Sequence, residues 1–192
     1  MRDQRTSKMK LSDIFEILSG YTFRSAISTT KDGNLYLLQS SDLSDSFFID
    51  HQILPRITYK APDTDAFVKH GDIVLSSRGL IQASIIRSRK QTILASSSIF
   101  ILRPQGEDVL SEYVAIYINS IKGQKGFSRF STGGSIQSIT KNDLGNIEIP
   151  IPPLEIQKEL CKLNINIADQ STFLLRKLEI NHNILNEIIN FY

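Results

Sequence analysis

The stretch from Leu154 to Asn190 contains neither proline nor glycine, and this constrains the fold more than any other feature of the chain. Within it Ile156, Leu160, Leu163 and Ile167 recur at spacings of four, three and four, and Leu174, Leu178, Leu185 and Ile189 continue at four, seven and four. Apolar residues at this period form one stripe of a helix. The two sets join across Ser171 with one extra step of four, a stutter in a heptad pattern. A helix of roughly 36 residues would be about 54 Å long at 1.5 Å per residue, more than one small domain can cover. Its stripe needs a partner. Either a second helix supplies it, with antiparallel pairing to a second copy as one solution, or the helix folds back on its own domain. Pro152-Pro153 stands at the start, where proline is tolerated in the first helical turn.

The residues before this helix read differently. Residues 1–9 are polar and suggest a loose arm, and Leu11 to Leu18 suggests a short helix stopped by Ser19-Gly20. Short apolar runs follow, separated by turn residues: Leu35–Leu38, Phe47–Ile49, Asp72–Ser76, Ile81–Arg87, Thr92–Ala95 and Ile99–Leu102. Runs this short and this close favour antiparallel pairing, with Arg87 to Gln91 as a basic hairpin tip. Leu110, Val114, Tyr117 and Ile121 then mark one helix face, with Asp108 placed to cap its start and Gly123 its end. Gly126 to Ser138 reads as an exposed loop, and Ile147, Ile149 and Ile151 alternate as a strand. The expected architecture is α+β: a mixed, largely antiparallel sheet domain with short helices over residues 10–152, then a long C-terminal coiled-coil helix over 153–192.

Charge is distributed unevenly. Residues 73–142 carry nine basic and three acidic side chains, whereas 11–72 and 143–192 are each net acidic. No acid occurs between Ile73 and Gly106, a span that holds Arg78, Arg87, Arg89, Lys90 and Arg103. A second acid-free stretch, Tyr113 to Asn142, holds Lys122, Lys125, Arg129 and Lys141. A polyanion would be drawn to the middle of the chain and not to its ends, although a solvated basic face is the bland alternative. The lone cysteine, Cys161, forms no internal disulfide and no cysteine-based zinc site. No apolar run is long enough to span a membrane, and the charged N-terminus lacks a secretory h-region. The expected address is a reducing cytoplasm.

Searches for catalytic chemistry return nothing. There is no phosphate-binding G-x-x-x-x-G-K-[ST] loop, no H-E-x-x-H, and no G-x-S-x-G elbow. His51, His70 and His182 lack metal-type spacing. Pro62-Asp63 is followed by no acid–x–Lys triplet, and no glycine motif for S-adenosylmethionine accompanies the Pro152-Pro153 segment. Catalytic residues and a metal site are expected to be absent.

Three stretches, in order, resemble one known family. They are Leu11 to Phe23, Gly71-Asp-Ile-Val-Leu-Ser-Ser-Arg78-Gly79, and the run Ser131-Thr-Gly-Gly-Ser135-Ile-Gln137 through Leu144 to Ile147-x-Ile149-Pro150-x-Pro152-Pro153-Leu154-x-x-Gln157. Together they resemble the target-recognition domain and following helix of type I restriction-modification specificity subunits. Members commonly carry two such domains and two helices, so the resemblance implies a half-sized form with one of each. It implies a reader of one half of a bipartite double-stranded DNA target. Such a reader would dock a modification (adenine methyltransferase) subunit and possibly a restriction subunit, with S-adenosylmethionine, ATP and magnesium belonging to those partners. Pairing as a homodimer through antiparallel helices would restore the usual two-reader arrangement. The different-class alternative is an assembly or decoy component that engages the modification subunit through its helix without binding DNA.

Individual residues can be assigned provisional roles on physical grounds. Gly71 and Gly79 bracket a strand and allow tight turns on both sides. Arg78, at the strand end, is placed either to reach a phosphate or guanine edge, or to pair with Asp72. Gly133, Gly134 and Ser135 offer bare backbone N–H groups and a hydroxyl to a phosphate. Gln137 and Ser138 are placed either to bond bases or to stabilise a turn. Arg87, Arg89, Lys90, Lys122, Lys125 and Arg129 are the candidate phosphate contacts. Arg78, Gln82, Gln137 and Ser138 are the candidate base contacts.

Overall fold

The computed structural model describes residues 6–43, 47–90, 92–130 and 138–191. It has the expected α+β arrangement of mixed, largely antiparallel sheets, short helices and one long C-terminal helix. In chain order the elements begin with β1 (Ser7–Lys10), α1 (Leu11–Ile14), β2 (Phe15–Ser19), β3 (Leu35–Leu38), β4 (Phe48–Ile49) and β5 (Arg56–Ile57). There follow β6 (Ile73–Ser76), β7 (Ala83–Ile86), β8 (Ile93–Ala95), β9 (Ile99–Pro104), α2 (Ser111–Asn119) and α3 (Ile121–Phe127). The chain closes with α4 (Lys141–Gly145), β10 (Glu148–Ile151) and α5 (Leu154–Phe191).

A five-stranded sheet in the order β2-β9-β6-β7-β4 lies at the centre. Successive side chains on a strand point to opposite faces, and here both faces are covered, which is why its strands read as continuous apolar runs. Ile73, Leu75, Phe100 and Leu102 pack with Val114 and Ile118 of α2 on one face. Val74, Ile99 and Ile101 pack on the other face with Leu38, Ile93 and Ala95 of the three-stranded sheet β5-β3-β8. A third cluster, Leu35, Leu37, Ile57, Ala66 and Leu94, closes the outer side of that second sheet under Tyr21, Phe23 and Tyr59.

Several local expectations are corrected. Ser7–Lys10 is no loose arm: it pairs antiparallel with β10, Ser7 opposite Ile151 and Lys10 opposite Glu148. Leu11 to Leu18 is helical only to Ile14, after which Phe15–Ser19 is captured by β9. The strands flanking Arg87 to Gln91 do not pair with each other, since β7 lies in the five-stranded sheet and β8 in the three-stranded one. The hairpin pairing expected across Arg87 to Gln91 is therefore not formed between β7 and β8. Asp108 does not cap α2, whose N-cap is Leu110, and Gly123 does not end it. The helix breaks at Ser120, whose hydroxyl accepts the Gly123 amide and starts α3, which runs through Phe127 into the first two residues of the stretch read as loop.

The joint to α5 is built around Gln157, which is 1% exposed. Its Nε2 donates to the carbonyls of Asp108 (3.2 Å) and Pro152 (2.9 Å), and its Oε1 accepts the Leu110 amide at 2.9 Å. One amide side chain thus ties the entry of α2 to the start of α5. The Tyr113 hydroxyl donates to the Pro150 carbonyl, and burial pushes its pKa up to about 12, so it remains a protonated donor. Only Leu154, Gln157, Cys161 and Asn164 turn inward, and every described side chain from Ile165 onward is exposed. The helix therefore does not fold back on its own globule. It has 38 residues, hence a length of about 57 Å. The expected stripe faces solvent along its whole length: Ile156 50%, Leu160 38%, Leu163 56%, Ile167 54%, Leu174 58%, Leu178 64%, Leu185 52% and Ile189 62% exposed. At 3.6 residues per turn these eight fall within about an 80° sector. A second exposed strip, Phe173, Ile180, Ile184 and Ile188, runs beside it in the C-terminal half.

Candidate nucleic-acid interface

The two ends of the central sheet are chemically distinct. At one end α2 begins beside Gln157 and the long helix departs. At the other, the Asn119 side chain at the end of α2 clamps both the amide and the carbonyl of Ala83, at 2.9 and 2.8 Å. Helix α2 runs nine residues from Ser111 to Asn119, so the β6–β7 turn stands about 12 Å beyond the helix root.

That turn is held from several sides. Gly79 takes φ +72°, a conformation other residues adopt only under strain. The Ser76 hydroxyl donates to the Leu80 carbonyl (2.6 Å) and accepts the Gln82 amide (2.9 Å). Gln124 of α3 donates to the Ile81 carbonyl at 2.7 Å. Ser138 pairs with Arg78 in an isolated antiparallel bridge, and the Ile139 amide donates to the Ser77 carbonyl at 3.2 Å. On its other flank the Ser77 amide donates to Ser98 (2.8 Å), whose hydroxyl bonds Ser96 (2.8 Å) and accepts the Ser40 amide (3.2 Å). Inward-facing hydroxyls thus staple three turns together, and Gln39, Arg78, Ser97 and Ser138 are left exposed on the outer surface. Gln39 is itself fixed by Asp42, whose carboxylate accepts the Gln39 amide at 2.7 Å. Burial nevertheless pushes the Asp42 carboxyl above its ordinary range.

Arg78 does not pair with Asp72. Asp72 is held instead by Arg103, whose Nε and Nη2 donate to its two oxygens at 3.2 and 2.9 Å, with the pair nearly sealed from solvent. Burial outweighs this partner and raises the Asp72 carboxyl above its usual range. One cation of the basic midsection is therefore structural, and Arg78 remains exposed with no carboxylate partner among the described residues. Lys122 and Lys125 are exposed on either side of Gln124, and Arg129 is exposed in the following turn, so these three share the Arg78 end. Gln82 is half-buried in the same turn. Arg87, Arg89 and Lys90 lie at the opposite end of β7, about 16 Å away by strand rise. There the Arg87 guanidinium stacks 3.3 Å over the Phe48 ring. Gly134, Ser135 and Gln137 lie outside the described residues. The fold thus splits the expected basic surface into two clusters. It also adds Leu80, which follows Arg78 and Gly79 in the same turn, and Gln39 and Ser97, which only tertiary contacts bring to the tip.

Asp50, His51 and Ser88 come together, but Asp50 Oδ1 (2.7 Å) and Ser88 Oγ (2.9 Å) both approach the same ring nitrogen, Nδ1. A relay needs the serine and the carboxylate on opposite nitrogens. Burial, with Glu112 nearby, pushes the Cys161 thiol up to about 11, which keeps it from acting as a thiolate. Among the described residues no group of three or more His, Cys, Asp or Glu is placed to hold a metal. No helix there is long and apolar enough to cross a membrane.

The globular module thus carries Arg78 on a polar tip at one end of the sheet, and the long helix leaves from the other end. The sequence places that module: the chain belongs to the type I restriction modification DNA specificity domain family, which matches residues 5–190. Solved structures agree in fold. The HsdS subunit from Thermoanaerobacter tengcongensis superposes with a TM-score of 0.65 at 21% identity, covering 92% of this chain and 40% of that one. A chain from work on complex assembly and conformational transition of the type I R-M system gives 0.68 at 20% identity, covering 92% and 41%. The type I S subunit from M. genitalium gives 0.61 at 15%, covering 95% and 44%. This chain therefore spans about two-fifths of the length of the solved chains it resembles. No curated protein matches it.

Proposed function

We propose that this chain is the sequence-reading component of a type I restriction-modification system, taking one half of a bipartite DNA target per copy and performing no chemistry itself. The observation that carries the proposal is the pairing of an exposed, structurally fixed Arg78 tip with an uncovered apolar stripe on α5. The stripe is what an antiparallel second copy would cover. The adjoining strip of Phe173, Ile180, Ile184 and Ile188 offers a further face to the modification subunit. Methyl transfer from S-adenosylmethionine, and any ATP- and magnesium-dependent step, fall to the partner subunits.

Two identical readers related by a twofold axis demand an inverted repeat with a non-specific gap. The rod sets the limit on half-site separation: about 57 Å corresponds to roughly 17 base pairs at about 3.4 Å each. Arg78 and Ser138 meet base edges, with Gln82 behind them. Lys122, Lys125 and Arg129 grip phosphates near the tip, and Arg87, Arg89 and Lys90 grip them about 16 Å further along. With about five such contacts engaged, log K falls against log salt with a slope near −4 to −5. The test is an electrophoretic shift across 50–200 mM salt, with and without the modification subunit. A salt-dependent shift is the expected result. Assembly with that subunit but no DNA shift in either condition would instead mark an assembly or decoy component.

A further inference from the structure

Outside α5, only three large apolar side chains among the described residues are strongly exposed: Ile53 (59%), Leu80 (73%) and Ile121 (79%). Two of the three border the same tip. Leu80 follows Arg78 and Gly79 in the β6–β7 turn, and Ile121 opens the helix whose Gln124 holds the Ile81 carbonyl. A single exposed leucine on a loose loop would call for no explanation, but Leu80 is not loose. Its carbonyl is fixed by Ser76, the next residue's carbonyl by Gln124, and the turn by Gly79 at φ +72° and the Arg78–Ser138 bridge. Its side chain enters none of the three core clusters. The surroundings argue against an apolar protein surface as its partner. Arg78 and the exposed Ser97 and Ser138 stand around it, and no acid occurs in the sequence between Ile73 and Gly106.

Resting on the DNA-reading function, we propose that Leu80 is a specificity-determining residue that seats against the 5-methyl group of a thymine in the major groove, beside the base addressed by Arg78. Each base pair presents a distinct major-groove pattern, and the thymine methyl is its one apolar feature. A rigid apolar tip next to a guanidinium suits a thymine adjoining a guanine.

The test uses the full chain. A duplex pool with a randomised window is first enriched for bound sequences, and each thymine of the recovered half-site is then replaced by uracil, which lacks the methyl and keeps every hydrogen bond. Wild type should lose about fourfold in affinity at one thymine, the worth of one buried methyl. Leu80→Ala should lose nothing further there, while Leu80→Met, which keeps the apolar reach, should retain the sensitivity. Equal losses in wild type and Leu80→Ala, or no sensitive thymine in wild type, would overturn the assignment while leaving the reader intact. Recovery of no preferred sequence, whether or not the modification subunit is added, would overturn both.

Discussion

The globule and the rod use the same apolar residue types in opposite ways. Ile73, Leu75, Ile93, Leu94 and Ile101 are each 0% exposed, whereas the leucines and isoleucines of the α5 stripe are 38–64% exposed. An isolated helix gains little from its own hydrogen bonds, and most helical stability in proteins comes from packing an apolar face. The globule has satisfied that requirement internally. The rod has not: its apolar stripe lies uncovered along its whole length.

The largest effect should come from breaking the rod alone. Replacing Leu174 and Leu178 together by Asp removes two buried anchors from the proposed seam, each worth about 1.5–3 kcal/mol. Sedimentation equilibrium should show self-association weakened by roughly 100-fold or more, with the globule's unfolding midpoint unchanged. Next is a break confined to the globule. Asp72→Ala strands Arg103 in a buried site and should cost about 3–5 kcal/mol in urea unfolding while leaving the rod's pairing intact. This site also carries a pH signature. Because burial raises the folded-state pKa of Asp72 above 3.8, its linked contribution is full below that value and is lost as pH rises through the raised folded value. Asp72→Asn should remove that component from a stability–pH profile, whereas a carboxylate dominated by its Arg103 partner would give the opposite slope.

Smaller effects separate the two ends of the globule. Arg78→Ala should cost about 1–3 kcal/mol on the preferred sequence and little on others, as loss of a base contact does. Arg129→Ala should weaken all sequences alike and reduce the salt slope by about 1. Equal losses from Arg78→Ala on every sequence would move that residue to the phosphate class.

The same contrast explains what could be read in advance. The rod was legible almost completely because helical periodicity is local: eight stripe positions and the absence of Pro and Gly define it without reference to anything distant. Strands β6 and β9 were legible as apolar runs, but their partners were not. Strands β7 and β8 looked like a hairpin pair because proximity in sequence says nothing about which layer a strand joins. Leu11 to Leu18 failed for a related reason, since β9 captures its second half into the sheet. Arg78 could be singled out from its position after a strand, whereas Gln39 and Ser97 required the stapled turns of the folded tip, and the exposure of Leu80 required the folded turn itself. The Gln157 hydrogen bonds supply the physical reason for a motif that the sequence displayed only as a pattern.

The central claim is that two copies of one reader straddle a duplex at a separation fixed by their paired rods. Mapping adenine methylation in a genome that carries this chain and its modification subunit tests it most directly. The account predicts a gapped inverted repeat whose half-site centres lie no further apart than about 17 base pairs. A motif without a gap, or one whose halves differ, would contradict it.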